Sequence, residues 1–371
     1  MPAFDAIVLG TGGVGSAALY HLARRGLRVL GLDNFQPGHS FGSSHGLTRI
    51  IRQAYFEHPD YVPLVREAYG MWRELEAEVN DELLSITGLI EIGPPDGVLL
   101  TGVRRAAELH GLELEEVSRD DFARRFPGFV LPESNECVLE PTAGILAVER
   151  CVQGHFVAAR WQGAEWREER VLSWQAEGSG FRIQTDVQEH TCERLVVAAG
   201  AWSAAVLADL GLPLRVVRKH LHWYGGEEAE YRRGGPLLVY ETPAGYYYGF
   251  PPDKHGLKVA EHSGGEAVRD PSELDRAVDP AERSRVEAFL AEHLPRVGRE
   301  VVRHDVCMYT LSPDEHFIVD RHPAHPRLAF AAGLSGHGLK FTPVLGAALA
   351  DLAIDGHTSR PIEFLGLSRF R

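Results

Sequence analysis

The stretch DAIVLGTGGVG, residues 5–15, is a short apolar run that ends in closely spaced glycines. An Ala- and Leu-rich segment follows and ends at Gly26, and a second apolar run leads from Leu27 to Asp33. This order is typical of a strand, a glycine turn, a helix and a second strand. Asp33 follows Gly15 by 18 residues, close to the ~20 expected between the glycines of a dinucleotide site and its ribose-binding acid. The sequence therefore predicts a dinucleotide-binding site at the start of the chain.

The glycines of this stretch answer three different steric demands. Gly10 permits the tight turn out of the strand, Gly12 lets the backbone approach a pyrophosphate, and Gly15 lets the helix lie close to the sheet. The unpaired N–H groups at the start of the helix favour an anion. Asp33 is expected to accept hydrogen bonds from ribose hydroxyls and to repel a 2′-phosphate, which favours FAD or NAD over NADP.

The composition predicts a water-soluble protein, and the length predicts two domains or one domain with a large insertion. The 371 residues exceed the ~100–200 of a single domain, and 44% of them are hydrophobic. The net charge is −14 and no run of Lys or Arg forms a stripe, so nucleic acid and anionic membranes are poor partners. No apolar stretch reaches 18 residues, and the first strand begins too early for a signal peptide, so we expect a cytoplasmic location.

The cysteines give no sign of a metal centre. Cys137, Cys151, Cys192 and Cys307 are far apart and form no CxxC pair. Such spacing indicates neither zinc nor an iron–sulfur cluster, so we expect no metal. From composition alone, each of the four is expected to be a buried, reduced thiol.

Periodicity predicts the main elements that follow. Apolar runs predict buried strands of a parallel sheet at Arg194–Gly200 and Leu328–Gly333. Apolar residues spaced by three or four predict a helix at Tyr61–Val79, and helices are also expected at Pro280–Leu294 and Pro343–Ile354. The run Leu47–Arg52 is helix-like, which would place Arg49 and Arg52 on one helix face.

Several later blocks carry a resemblance to a known family. They are SHGLTRIIR at residues 44–52, YYGFP at 247–251, GLK at 256–258, CMYTLSPDEHFIVD at 307–320 and GLSGHGLKF at 333–341. Together they resemble the monomeric sarcosine oxidase and N-methyltryptophan oxidase family, FAD-dependent amine oxidoreductases of the D-amino-acid oxidase superfamily. The resemblance extends in order over essentially the whole chain.

The resemblance implies an α+β fold in two domains. An α/β Rossmann-like FAD-binding domain of the glutathione-reductase type is expected at residues 1–83, 145–215 and 301–371. An antiparallel-sheet substrate-binding or cap domain is expected at 84–144 and 216–300. The glycine turn would then hold only the ADP end of the cofactor.

The resemblance also implies how the cofactor is bound. Cys307 would carry FAD covalently through a thioether to the flavin 8α-carbon, although a buried core thiol is the alternative interpretation. The other cofactor-binding residues are then expected to be Gly10, Gly12, Gly13, Val14, Gly15, Asp33, Ser44, Thr48, Val171, Gly200, Trp202, Gly336, His337, Gly338 and Lys340.

Three further positions match substrate-binding residues of the family. Arg52 and Lys340 would hold a substrate carboxylate, which Arg can bind in bidentate fashion, and Tyr248 would line the substrate pocket. A salt bridge with a neighbouring carboxylate is the other interpretation of Arg52 and of Lys340.

Five positions match residues on the two sides of the flavin in that family. Lys258 would activate oxygen by stabilising superoxide as it forms, while a solvated surface lysine is the alternative. His262 and Tyr309 would line the substrate side of the flavin. His45 and Arg49 would contact the flavin and tune its electronics. For His45 and His262, a purely structural histidine is the alternative.

The implied reaction is the oxidation of a secondary amino acid, such as sarcosine or N-methyl-L-tryptophan. A hydride equivalent would pass to the flavin, the imine would hydrolyse to an amino acid and formaldehyde, and O2 would be reduced to hydrogen peroxide. The partners are then a small N-methyl amino acid and O2, and we expect a monomer. Two alternatives are a dehydrogenase of the same fold, which passes electrons to a quinone or carrier protein, and a non-catalytic FAD-binding subunit.

Overall fold

The computed structural model describes residues 3–225, 231 and 235–370. Within these ranges the chain forms eight α-helices and twenty β-strands, which are joined into three sheets. The helices are α1 (Gly13–Arg24), α2 (Tyr61–Val79), α3 (Val98–His110), α4 (Arg119–Arg125), α5 (Val148–Trp161), α6 (Ser203–Val206), α7 (Pro280–His293) and α8 (Thr342–Ile354). The three helices predicted from periodicity are confirmed at α2, α7 and α8.

The first sheet contains eight of these strands. They are β1 (Phe4–Leu9), β2 (Val29–Asp33), β9 (Glu165–Glu168), β10 (Val171–Glu177), β11 (Gly180–Thr185), β12 (Glu189–Val197), β19 (Ile318–His322) and β20 (His325–Ala332). Its centre is parallel, because β2, β1, β12 and β20 run in one direction in that order. The predicted dinucleotide-binding architecture is confirmed here, with the predicted strand ends shifted by a few residues.

The second sheet contains nine strands and is almost entirely antiparallel. They are β5 (Leu89–Gly93), β6 (Glu115–Val117), β7 (Glu136–Glu140), β13 (Arg215–Tyr224), β14 (Leu237–Thr242), β15 (Gly245–Asp253), β16 (Gly256–Glu261), β17 (Glu266–Ala267) and β18 (Val301–Leu311). Only β14 and β5 run parallel among its described pairs. The two sheets together confirm the predicted α+β class.

The division of the chain into two domains remains a prediction, and one strand bears on its final boundary. Strand β18 begins at Val301, where the predicted FAD-binding segment resumes. It pairs antiparallel with β13 over the whole length of that strand, from Arg215 to Tyr224. The strand that contains Cys307 therefore belongs to the second sheet.

The helix-like interpretation of residues 47–52 is wrong. Residues Thr48–Ile51 form strand β3, which joins β4 (Leu84–Ile86) and β8 (Gly144–Ala147) in a small antiparallel sheet. Three of the four residues are β-branched, and pairing with β8 outweighs the apparent helical spacing. Arg52 follows the strand directly, so Arg49 and Arg52 do not share a helix face and have different partners.

Close packing of α1 against its neighbours depends on glycine. A Cβ added to Gly15 would lie 1.7 Å from the carbonyl oxygen of Gly10, so only glycine fits where the helix meets the turn. On the opposite side of α1, a Cβ on Gly346 of α8 would lie 2.5 Å from the Cβ of Ala17. Helices α1, α2, α5 and α8 together cover one face of the parallel sheet with a continuous apolar core.

Substitution of Gly346 by alanine should destabilise the fold. The added methyl overlaps the backbone of α1, and overpacking of this kind costs about 1–3 kcal/mol. The matched control is Gly70→Ala on the exposed face of α2, where an added Cβ meets nothing within 4 Å and should stabilise the helix by about 0.5–1 kcal/mol. Urea unfolding of both variants measures the difference, and equal midpoints would contradict the packing of α8 on α1.

Candidate active site

A cavity of about 800 Å³ lies at the carboxyl ends of β1, β2, β12 and β20. Ligands of open parallel sheets bind at this edge. The cavity is lined by most of the predicted cofactor residues: Gly10, Gly12, Gly13, Val14, Asp33, Ser44, Val171, Gly200, Trp202, Gly336 and Gly338. The predicted catalytic residues Arg49 and Tyr309 also line it. Other predicted site residues lie outside this lining: Gly15, His45, Thr48, Arg52, Tyr248, Lys258, His262, Cys307, His337 and Lys340.

The glycine turn leaves room for an anion. A Cβ on Gly12 would have its nearest neighbour at 3.9 Å, the Oγ of Ser44, so this glycine faces open space. The first turn of α1 carries no acidic side chain. The unpaired N–H groups of that turn suit a pyrophosphate.

Asp33 has a structural partner within the turn. Its carboxylate accepts hydrogen bonds from the backbone N–H of Thr11 at 2.6 Å and of Phe35 at 3.1 Å. These hydrogen bonds to the Asp33 carboxylate hold the glycine turn in place, and Asp33 also lines the cavity. Ribose binding by Asp33 remains a prediction.

Cys307 lies beside residues of the cavity wall. Its Sγ is 3.4 Å from Nη2 of Arg49 and 3.5 Å from the carbonyl oxygen of Ser43, and the side chain is buried. Arg49 also donates hydrogen bonds to the carbonyls of Ser43 and Thr48. Nearby, His45 is buried with an unpartnered Nε2 among the described residues. Burial, and then the charge of Arg49, lower the pKa of His45 to about 3, so this imidazole is neutral.

Lys258 is buried, which excludes the surface interpretation. It is 1% exposed, and its Nζ donates to the carbonyl oxygens of Gly46 at 2.7 Å and Thr48 at 2.9 Å. The ammonium also lies 4.6 Å from the ring centroid of Phe250. Burial and the charge of Arg49 lower the pKa of Lys258 well below its ordinary value. The carbonyl acceptors and the aromatic ring oppose this effect, because both interact more favourably with a charged ammonium than with a neutral amine.

Arg52 forms an ion pair with a residue that the sequence did not single out. Its Nη2 lies 2.8 and 2.7 Å from the two carboxylate oxygens of Glu57, and its Nη1 donates to the carbonyl of Ala54. Burial raises the pKa of Glu57, but Arg52 together with His337 and Lys340 outweighs burial, and the pKa falls to about 2. The salt-bridge interpretation of Arg52 thus agrees with the structure.

Lys340 lies close to the same aromatic ring. The Arg52 guanidinium carbon is 4.4 Å and the Lys340 Nζ 5.3 Å from the ring centroid of Tyr55. Lys340 donates to the carbonyl of His337 at 2.9 Å, and His337 in turn contacts the Tyr55 hydroxyl. Burial, and then the charge of Arg52, lower the pKa of Lys340 to about 7. The predicted pair of substrate-binding cations is thereby brought together.

Tyr309, His262 and Tyr248 form a third group. The Tyr309 hydroxyl lies 3.4 Å from Nδ1 of His262, and the ring of His262 lies 6.2 Å from that of Tyr248. Burial, and then the charge of Lys219, lower the pKa of His262 to about 4. A Cβ on Gly336 would lie 2.4 Å from the Tyr309 ring, so glycine is needed where the predicted turn crosses this tyrosine.

Sequence reasoning missed two charged residues of this region, Glu57 and Lys219. A signal existed for Lys219, because the chain has only four lysines among its 38 cationic side chains. Three of them, Lys219, Lys258 and Lys340, are buried near the cavity, and only Lys254 is exposed. Glu57 gave no comparable signal, since its role depends on how the loop after β3 folds back.

Glu91 is a third residue that the sequence did not reveal. It lies at the centre of β5, is fully buried, and neither carboxylate oxygen has a hydrogen-bond partner among the described residues. Burial raises the pKa of Glu91 well above its ordinary value, although the charge of Arg52 opposes this. Burial therefore favours the neutral form of Glu91. The nearby loop after Arg52 is held by hydrogen bonds from the backbone N–H groups of Gln53 and Ala54 to Glu140.

One group of side chains has the composition of a metal site. The ligand atoms of Asp209, His322 and His325 all lie within 4.8 Å of one another. However, the N–H of Ala324 donates to Nδ1 of His322, so Nε2 carries the proton that is donated to Asp209 at 2.7 Å. This hydrogen-bonded arrangement leaves no free lone pair on His322 for a metal, and the absence of a metal remains a prediction.

The cavity fits the cofactor predicted for it. Open space at Gly12, a first turn of α1 without acidic side chains, and the Nε2 of His45, which has no partner among the described residues, suit a dinucleotide with a polar ring system. The parallel sheet, the glycine turn and the cavity define an oxidoreductase of the flavoprotein class. The chain belongs to the FAD dependent oxidoreductase family, because the sequence model of that family matches residues 5–352. The predicted family and FAD as cofactor are thus confirmed.

Several relatives are similar over almost their whole length. Monomeric sarcosine oxidase from Bacillus sp. (strain B-0618) is 37% identical over 375 residues, which cover 99% of this chain and 96% of that protein. N-methyl-L-tryptophan oxidase from Yersinia pestis (strain Pestoides F) is 35% identical over 373 residues, covering 99% of this chain and 100% of the relative. Among solved structures, NikD, an unusual amino acid oxidase essential for nikkomycin biosynthesis, matches with a TM-score of 0.86 at 26% identity, covering 99% and 98% of the two chains. L-proline dehydrogenase from P. horikoshii shares the fold, with a TM-score of 0.85 at 21% identity over 99% and 97%.

No helix within the described residues combines the length and the apolar character needed to cross a membrane.

Substitution of Glu91 by glutamine should change how stability depends on pH. A raised pKa in the folded state means that the carboxyl contributes its full stability only below its ordinary pKa and loses it as the pH rises. The free energy of unfolding of the unchanged protein, measured relative to that of Glu91→Gln, should therefore fall by about 1.4 kcal/mol per pH unit from about pH 5 upward. Urea unfolding at several pH values measures the slope, with Glu113→Gln at an exposed site as the control. A pH-independent difference would mean that Glu91 is not buried as a neutral acid.

Proposed function

We propose that this enzyme oxidises a secondary, N-methyl amino acid with O2, forming hydrogen peroxide and an imine that hydrolyses to an amino acid and formaldehyde. The observation that carries the proposal is the pair of buried cations, Arg52 and Lys340, that both lie close to the ring of Tyr55. An amino acid that enters a dry pocket needs such cations for its carboxylate. The similarity to sarcosine and N-methyl-L-tryptophan oxidases supports the same substrate class.

The chain's own residues bind and orient the substrate. The carboxylate competes with Glu57 for the guanidinium of Arg52 and receives a second charge from Lys340. A lysine whose pKa is about 7 gains its proton readily when an anion arrives, because the anion favours the charged form. Tyr248, His262 and Tyr309 form the opposite wall, with His262 neutral and able to exchange a hydrogen bond with Tyr309.

Bound FAD supplies the redox chemistry, as acceptor of a hydride equivalent and donor of electrons to oxygen. Gly10, Gly12, Gly13 and Ser44 would hold its phosphates, and Cys307 would carry it covalently. We propose Lys258 as the residue that stabilises negative charge developing on oxygen, since its ammonium is fixed by two carbonyls in a dry site. His45 and Arg49 would tune the electronics of the flavin. The protein would act as a monomer in the cytoplasm, and the word monomeric in the relatives' names supports the first of these.

The experiment that tests the activity uses purified protein with its FAD. Sarcosine, N-methyl-L-tryptophan and L-proline are each added in air with peroxide and formaldehyde detection, and without air while flavin absorbance is followed. We expect peroxide and formaldehyde with at least one N-methyl substrate. Flavin bleaching without peroxide in air, together with rapid dye reduction, would indicate a dehydrogenase instead. No bleaching with any of the three would favour the non-catalytic subunit.

Cys307→Ser should release the flavin on acid precipitation. The thioether requires the Cys307 sulfur, whereas the phosphate and ring contacts of the cavity do not. Flavin fluorescence of the supernatant after precipitation and washing is the measurement, and Cys137→Ser, at another buried thiol in the second sheet, is the control. Flavin that stays with the Cys307→Ser pellet would refute the assigned linkage.

Lys258→Met should slow reoxidation by O2 and spare reduction by substrate. The change removes a buried charge, and loss of one preorganised electrostatic group costs about 10²–10³ in rate. Stopped-flow absorbance separates the two half-reactions, and Lys254→Met applies the same change to the exposed lysine of the neighbouring turn. A defect confined to flavin reduction would contradict the role given to Lys258.

A further inference from the structure

Lys219 is a buried cation to which the proposed reaction assigns no task. It lies on β13 directly opposite Cys307 on β18 and is 3% exposed. Directly opposed residues of an antiparallel pair share a face of the sheet. Because Val217 lies opposite Tyr309, Lys219 is on the sheet face that carries both Cys307 and Tyr309.

The contacts of Lys219 connect it to the turn that follows His262. Its Nζ donates to the carbonyl oxygen of Ser263 at 2.6 Å and lies 3.5 Å from that of Gly264. A Cβ on Gly265 would lie 3.1 Å from the Lys219 Cδ, so the turn also packs on the stem of the side chain. Residues 263–265 are thereby held against β13, immediately after the histidine.

Within the part of the chain that the structure describes, no carboxylate forms a hydrogen bond with the Lys219 ammonium. Its direct acceptors are backbone carbonyls, while the Glu261 carboxylate lies 2.9 Å from Nη2 of Arg285 and that of Glu282 lies 2.7 Å from Nε2 of His222. The ammonium lies 5.6 Å from the ring centroid of Tyr309. A positive charge therefore lies beside the Tyr309–His262 contact.

We propose that Lys219 is a positioning residue, which fixes His262 against Tyr309 through the turn at 263–265 and keeps the imidazole uncharged. This inference rests on the proposed function in one respect, namely that His262 lines the substrate pocket. A lysine suits the task, since a compact ammonium can donate to two adjacent carbonyls from a buried stem.

Other charged and polar groups also face His262. They are Glu57, Arg52 and Lys340 from the carboxylate-binding side, and Tyr248 and Tyr309 from β15 and β18. Among the causes that lower the pKa of His262 to about 4, burial comes first and Lys219 second. Burial lowers the pKa of Lys219 itself to about 8, so Lys219 is charged throughout the range in which His262 titrates. Removal of this charge must therefore raise the pKa of His262.

The test compares three substitutions of Lys219 in the FAD-containing protein. Lys219→Met removes both the charge and the hydrogen bonds, Lys219→Gln removes the charge but keeps a donor, and Lys219→Arg keeps the charge. The His262 signal is followed by NMR of ¹⁵N-histidine-labelled protein and is assigned with His262→Asn. Lys254→Met is the matched surface control.

We expect the pKa of His262 to rise by about one unit in Lys219→Met and Lys219→Gln, and to stay unchanged in Lys219→Arg and Lys254→Met. The acid limb of kcat/KM should move in the same direction in the two neutral variants. An unchanged His262 pKa in Lys219→Gln, or an equal rise in Lys219→Arg, would overturn the proposal. The NMR titration needs no substrate, so its result can be interpreted even if the protein does not catalyse the proposed oxidation.

Discussion

The site depends on keeping several cations out of water without neutralising them. Lys219, Lys258 and Lys340 are all buried, and Arg49 is half-buried beside them; Arg52 is also buried but is paired with the carboxylate of Glu57. Each donates to backbone carbonyl oxygens. A carbonyl satisfies the donor but leaves its charge in place, whereas a carboxylate would cancel it. A chain of net charge −14 thus holds buried cations in its site.

This constraint explains why the surrounding backbone is irregular. The acceptors for Lys258 are Gly46 and Thr48, where the chain leaves a loop and enters β3. The acceptor for Lys340 is His337, in the glycine-rich turn before α8. Regular helices and strands use up their carbonyls internally, so free carbonyls are found only where the chain turns.

The sequence alone could predict what depends on local pattern. The glycine turn, the buried parallel strands and three of the helices follow from spacing that each segment carries within itself. Residues 47–52 show the limit, because spacing alone could not reveal that β8, almost a hundred residues later, pairs with them. Glu57, Glu91 and Lys219 were missed for the same reason, since their importance arises from the groups that the fold brings beside them. The composition did contain a hint, as a chain so poor in lysine buries three of its four.

The cavity is built from two sheets, and this has a consequence for folding. Its glycine turn belongs to the parallel sheet, while Met308 and Tyr309 in its wall belong to β18 of the antiparallel one. A molecule that fills this cavity contacts both sheets, so its binding free energy stabilises the packing of the parallel sheet against the antiparallel sheet. For a dissociable ligand that contribution falls on dilution. A thioether at Cys307 would make binding of the cofactor to the cavity intramolecular. The effective concentration of the cofactor would then no longer depend on the supply of free cofactor.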